Sequence, residues 1–137
     1  MLKALSAAAI TALASAAMLA APASADAKPR LKGEAKLAKM LEGYEPGEPV
    51  RCINLNRSGH LKAIDRTALV YDAGSTIYVN RSANPQHIDD DDVLETRLYS
   101  RQLCSVDTVT TRDRSLHFQN GFIALEEFVP YHRIDRD

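Results

Sequence analysis

The most acidic stretch of the chain reads "QHIDDDDVLE", residues 86–95, with four consecutive carboxylates from Asp89 to Asp92. A cluster of oxygens suits a hard cation such as Ca²⁺, which takes six to eight oxygen ligands. The spacing is not that of an EF-hand loop, because no glycine stands at the required turn. Consecutive side chains also diverge unless a loop wraps an ion, so a solvated acidic loop is the simpler expectation. Asp89, Asp90, Asp91 and Asp92 are thus the weak metal candidates, and no other metal site is expected. Two further acids, Asp65 in "AIDRTALV" and Asp107 in "LCSVDTV", stand beside apolar β-type runs. An acid in that position commonly holds a turn by accepting from backbone N–H groups. Beside a histidine in a cleft it would be a general acid or base.

The four histidines, His60, His87, His117 and His132, have no Glu or Cys at metal-ligand spacing, and His-Glu-x-x-His is absent. Neither Gly-x-Ser-x-Gly nor Ser-x-x-Lys is present. The six glycines are scattered and form no phosphate-cradling loop. Any catalytic site would therefore be non-local, built from a histidine with Asp65 or Asp107. No catalytic or cofactor-binding residue is assigned, and no cofactor is expected.

The two cysteines, Cys52 and Cys104, take their meaning from the first residues. The chain begins "MLKALSAAAITALASAAMLAAPASADA": one early lysine, an apolar run, Pro22, then small-x-small sites ending at Ala25 or Ala27. That order of features is a secretory signal peptide over residues 1–25, with cleavage after Ala25 or, alternatively, after Ala27. Its Ala-rich form suggests a Gram-negative bacterium and a periplasmic or secreted protein. An exported chain meets an oxidising compartment, where thiols pair. The expectation is a Cys52–Cys104 disulfide closing a long loop, contributing about 4 kcal/mol on the loop-entropy model. Cys-x-x-Cys and a four-ligand zinc pattern, the competing uses, are absent.

The elements that position these residues divide at Val50. Residues 26–49 form a short helix near 33–42 and a Pro/Gly connector, with Leu37, Met40, Leu41 and Tyr44 at helical spacing. Lys32, Lys36 and Lys39 lie on its other face. Membrane contact is expected to be at most peripheral, through this helix. Residues 50–137 are rich in Ile, Val, Thr and Tyr in short runs. They predict strands near 50–55, 67–73, 76–80, 93–99, 105–111 and 121–129, with another near 115–119. "ALVYDAGSTIYVN" reads as a hairpin turning at Gly74. Asn120-Gly121 reads as a turn between the last two strands, and Pro130 as the end or edge of the final one. The fold class is mainly β: a small antiparallel sandwich or barrel of six or seven strands with one short N-terminal helix.

The set Cys52-Ile53, Ile64-Asp65, Leu69-Val70, Tyr78-Val79 and Leu103-Cys104-Ser105-x-Asp107 resembles an uncharacterised family of small exported Gram-negative bacterial proteins, a domain of unknown function. The likeness covers roughly residues 48–130. It implies location and fold and carries no activity. The net charge of −1, with both signs dispersed, gives no footprint for nucleic acid. The functional expectation is a non-catalytic secreted or periplasmic binding module. Its partner would be an envelope protein, a cell-wall component or a small ligand. The alternatives are a small periplasmic enzyme with a non-local His/Asp site, or a cation-binding domain using the acidic loop. An exposed patch involving Tyr71, Tyr78, Tyr99 or Phe128 would favour protein binding.

Overall fold

A computed structural model describes residues 27–56 and 59–135. The expected leader, residues 1–25 with Ala25, lies outside the described residues. The chain is mainly β, with ten strands, all paired antiparallel, in three sheets, and one N-terminal helix among the described residues. The helix α1 spans Ala27–Met40. The strands are β1 Tyr44–Pro46, β2 Cys52–Asn54, β3 His60–Ile64, β4 Ala68–Asp72 and β5 Thr76–Asn80. They continue as β6 Val93–Thr96, β7 Gln102–Cys104, β8 Thr108–Arg112, β9 Gln119–Ala124 and β10 Phe128–Arg133.

The mainly β class with one short N-terminal helix is as expected from the sequence; the strands number ten rather than six or seven, and no barrel closes among the described residues. Three of the strands, β1, β2 and β7, are only three residues long. The five-stranded sheet runs β1-β10-β5-β4-β3, a two-stranded sheet joins β2 to β7, and a three-stranded sheet runs β6-β8-β9.

The five-stranded sheet is covered on both faces. Ile64, Ala68, Val70, Ile77 and Val79 pack on one face against Leu37 of α1. Leu69, Tyr71 and Phe128 pack on the other against Ile53, Leu103, Val109 and Ile123 of the second β layer. Both faces of β4 are therefore buried, which explains its unbroken run Ala-Leu-Val-Tyr. The three-stranded sheet has only one covered face, and β8 alternates exposed and buried residues accordingly.

The helix starts earlier than residue 33 because Pro29 falls in its first turn, where a missing N–H costs nothing. Gly33 lies where α1 crosses the β3–β4 turn: a Cβ there would overlap the Thr67 side chain and sit 2.6 Å from the Asp65 carbonyl. Leu37 is buried and Met40 and Leu41 pack on the same cluster, while Lys32, Lys36 and Lys39 face solvent. The apolar stripe thus packs on the domain. No described helix is long and apolar enough to cross a membrane.

Two turn assignments also differ. Asn120-Gly121 lies inside β9, and the turn is Asp113–Phe118, where the Asp113 carboxylate accepts from the amides of Ser115 and Leu116. Pro130 lies within β10 rather than at its end. Its carbonyl accepts from the Gly47 amide. In an antiparallel strand a residue's N and O point to one side, so the missing donor faces the β1 edge and the ladder to β5 is untouched. The β4–β5 hairpin forms as expected, with Gly74 at φ +95 and its amide donating to Asp72.

Candidate functional site

Asp65 stands in the turn after β3, and Asp89–Asp92 follow a short 3-10 turn at Pro85–His87. Two features bring these distant segments together. Ile88, buried in the core, anchors the acidic loop from within. The Arg66 amide donates to the Ile88 carbonyl at 2.9 Å, with Arg66 itself at φ +48. Oxygens of Asp65, Asp89 and Asp90 consequently lie within 4.8 Å of one another. They border an open cavity of about 470 Å³ that Thr111, Asn120 and His87 also line.

The floor of this cavity depends on a β-bulge. The register between β8 and β9 shifts at Thr111/Arg112, leaving Asn120 unpaired in the ladder. A bulge re-aims a side chain. Asn120 accepts from the Thr111 hydroxyl at 2.8 Å and donates to the Asp92 carboxylate at 2.9 Å. The loop is ordered by its own first acid, since Asp89 accepts from the Asp91 amide at 2.8 Å. Lys36 of α1 pairs with Asp90 at 3.3 Å. Asp65 is half-buried. Burial raises its carboxyl above the ordinary carboxylate range, Asp89 and Asp90 add to this by repulsion, and the Arg66 guanidinium opposes it.

The acids that sequence reasoning singled out therefore separate. Asp65 joins the acidic loop, whereas Asp107 is a turn residue: its carboxylate accepts from the Cys104 amide at 2.7 Å. Of the four histidines only His87 shares the cavity with Asp65. Among the described residues no histidine is hydrogen-bonded to a carboxylate side chain. His132 meets the Thr76 hydroxyl at 3.3 Å. The non-local His/Asp pair is not assembled at hydrogen-bond distance.

Cys52 and Cys104 form the expected disulfide. They are directly opposed in the β2–β7 pair. Arg51/Ser105 and Leu55/Arg101 carry the flanking backbone bonds, so the cysteines occupy a non-hydrogen-bonded position, where facing side chains come closest. A two-stranded sheet alone is marginal. This one is held by the disulfide and by Ile53 and Leu103 in the core. The bond is consistent with an oxidising compartment.

The expected aromatic patch does not form from the residues named for it. Tyr71 and Phe128 are buried, Tyr78 is half-buried, and Tyr99 alone is fully exposed. Tyr71 is committed to the fold, its hydroxyl receiving the Asn56 amide at 2.8 Å. Of the exposed apolar residues that sequence reasoning missed, Val106 and Ile134 stand singly, and four belong to the three-stranded sheet and its hairpin: Val93, Leu116, Phe118 and Phe122, at 41, 70, 52 and 56% exposure. On β9 the alternation that buries Ile123 turns Phe122 outward, and Val93 and Glu95 emerge on the same outer face of β6. The strand alternation of "NGFIAL" was the available signal.

Comparison with protein-family models, with curated proteins and with solved structures finds no match for this chain.

Proposed function

We propose that this protein is a non-catalytic interaction domain of the bacterial cell envelope. It is exported by its N-terminal leader to the periplasm or beyond, and it binds a partner protein through the outer face of the β6-β8-β9 sheet. The observation that carries this reading is the exposure of Phe118 and Phe122, two of the three phenylalanines in the chain, together with Val93 and Leu116 on one sheet and its hairpin. Scattered exposed apolar residues need no explanation, but a grouping that includes aromatic rings marks an interaction surface. The disulfide and the leader support the location, as does the resemblance to small exported proteins.

The test is site-specific photocrosslinking in the producing cells. A photoreactive phenylalanine at position 122 is expected to give a discrete adduct with one envelope protein, and the same group at exposed Ile134, which follows β10 of the five-stranded sheet, should not. Equal adduct patterns at both positions, or none at 122 and 118, would remove the proposal.

A second reading is supported by the convergence of Asp65 on Asp89 and Asp90. Like charges brought this close favour a bound proton or a cation. On this reading the cavity takes Ca²⁺, and calcium would raise the melting temperature because it binds only the folded state. An unchanged melting temperature in millimolar calcium argues against it.

A further inference from the structure

The hydrogen-bond pattern identifies which strand edges have no partner. The Ala73 amide donates to the Thr76 carbonyl, which closes the β4–β5 hairpin. The register Tyr71↔Tyr78 and Leu69↔Asn80 then directs the backbone of residues 69 and 71 toward β5. Alternation turns Ala68, Val70 and Asp72 toward β3, where they face Ile64, Lys62 and His60. The N–H and C=O groups of Leu61 and Ala63 therefore point outward from β3, the end strand of its sheet.

The same logic applies to β6. Ala124 and Phe122 bond to Ala83 and Asn84 on the outer side of β9. Thr110 and Arg112 consequently face Glu95 and Val93, and the backbone of Leu94 points outward. Among the described residues, none of these outward groups on Leu61, Ala63 and Leu94 has a backbone partner. Both edges border one open cavity of about 430 Å³, lined also by Lys36, Lys62 and Arg114 and by Asp90 and Asp92, of which Asp90 is paired with Lys36 and Asp92 is bonded to Asn120. The opposite end of the five-stranded sheet is the three-residue strand β1, which offers fewer donors: its Tyr44 amide bonds to the Leu41 carbonyl and its Pro46 has no N–H.

We propose that β3 is a strand-addition site, taking an extended segment of another polypeptide with the side-chain order apolar–acidic–apolar. Free main-chain groups in a row accept an extended backbone. Guest residues opposite Leu61 and Ala63 would point to their side of the sheet, where those residues and Leu94 pack on the core, so they should be apolar. The guest residue between them falls opposite Lys62. Lys62 is exposed and, like Arg114, has no acidic side-chain partner among the described residues. Opposite charges facing across a strand pair attract, and like charges repel. This also disfavours a second copy of β3 as the guest, because the register using all the free groups of Leu61 and Ala63 sets Lys62 against Lys62.

The probe is a fluorescein-labelled peptide, acetyl-Thr-Val-Glu-Val-Thr-amide, titrated against the oxidised protein by anisotropy. Saturable binding is expected, with slowed hydrogen exchange at the Leu61 and Ala63 amides. Methylating the two valine nitrogens, which face β3, should abolish binding, while methylating the Glu nitrogen should not. Lys62→Glu should weaken the Glu peptide by roughly fivefold or more and favour a Lys-centred one. Ala63→Pro removes only an outward N–H and should also abolish binding, and Lys62→Glu keeps the test decisive if that variant does not fold. Phe122→Ser should bind the peptide as the parent does, so this site and the Phe122 face fail or succeed separately. No binding up to about 1 mM, equal binding of the valine-methylated peptide, or unchanged exchange at Leu61 and Ala63 would overturn the proposal.

Discussion

Phe122 and Phe128 stand on successive strands, β9 and β10, and have opposite surroundings. Phe128 is 1% exposed, packed in the cluster that joins the five-stranded sheet to the second β layer. Phe122 is half in solvent on the outer face of that second layer. The difference follows from the sheets that carry them. The five-stranded sheet is covered on both faces and contributes to both buried clusters. The three-stranded sheet spends one face on the core and leaves the other free. Exposed rings on the free face are therefore available for binding at little cost to folding.

This comparison sets the largest expected effect. Phe128→Ala should cost about 3–5 kcal/mol in urea denaturation of the oxidised protein, because it empties a buried site. Phe122→Ala should change stability by no more than about 0.5 kcal/mol, as surface substitutions do. Similar losses for both would mean that the outer face is part of the core and would remove the contrast. Next in size is the disulfide. Replacing both cysteines by alanine should cost about 2–5 kcal/mol, since the bond closes a long loop and clamps a two-stranded pair. Oxidised parent and double variant can be compared directly by thermal melting. A variant as stable as the parent would show that Ile53 and Leu103 alone fix this pair.

Much of this architecture was legible, and the misses have physical causes. "ALVYDAGSTIYVN" announced the β4–β5 hairpin because an apolar run, a glycine and a second β-rich run coincide locally. β3 reads His-Leu-Lys-Ala-Ile, too polar to stand out, and forms because β4 is there to pair with it. β1 contains a proline and survives only against β10. Asn120-Gly121 has the chemistry of a turn, but the Asp113 carboxylate captures the turn earlier, and Asn120 becomes the bulge that reaches Asp92. Each acid of the cavity was visible singly. Their convergence was not, because it depends on one backbone bond between Arg66 and Ile88 across the fold.

Gly33 tests the other layer, where α1 meets the sheet. In an exposed helix interior, Gly→Ala stabilises by about 0.5–1 kcal/mol. Here the added methyl meets the Thr67 side chain and the Asp65 carbonyl. Gly33→Ala should therefore destabilise, by about 1–3 kcal/mol, as overpacking does. The sign is the result that matters. A stabilised variant would mean that α1 is not seated on the β3–β4 turn, and Leu37 would lose its place in the core.

The smallest effect concerns Asp65 and depends on pH. Its folded-state pKa is raised, by burial first and then by Asp89 and Asp90. The folded protein therefore holds this proton more tightly than the unfolded chain does. Below the ordinary value of 3.8 both states are protonated and the site costs nothing. As pH rises from there through the raised folded value, stability falls, and above that value the penalty is constant. Asp65→Asn removes the penalty, so it should stabilise slightly at pH 7, by less than about 0.5 kcal/mol for a solvent-screened group. The gain should vanish at pH 3. Calcium sharpens the same measurement: an ion held by Asp65, Asp89 and Asp90 would stabilise the parent at pH 7 and leave Asp65→Asn with a weaker response. If the parent and variant respond alike to both pH and calcium, Asp65 is electrically independent of the loop. The carboxylate cavity would then be a solvated surface, leaving the Phe122 face and the β3 edge as the proposed binding sites.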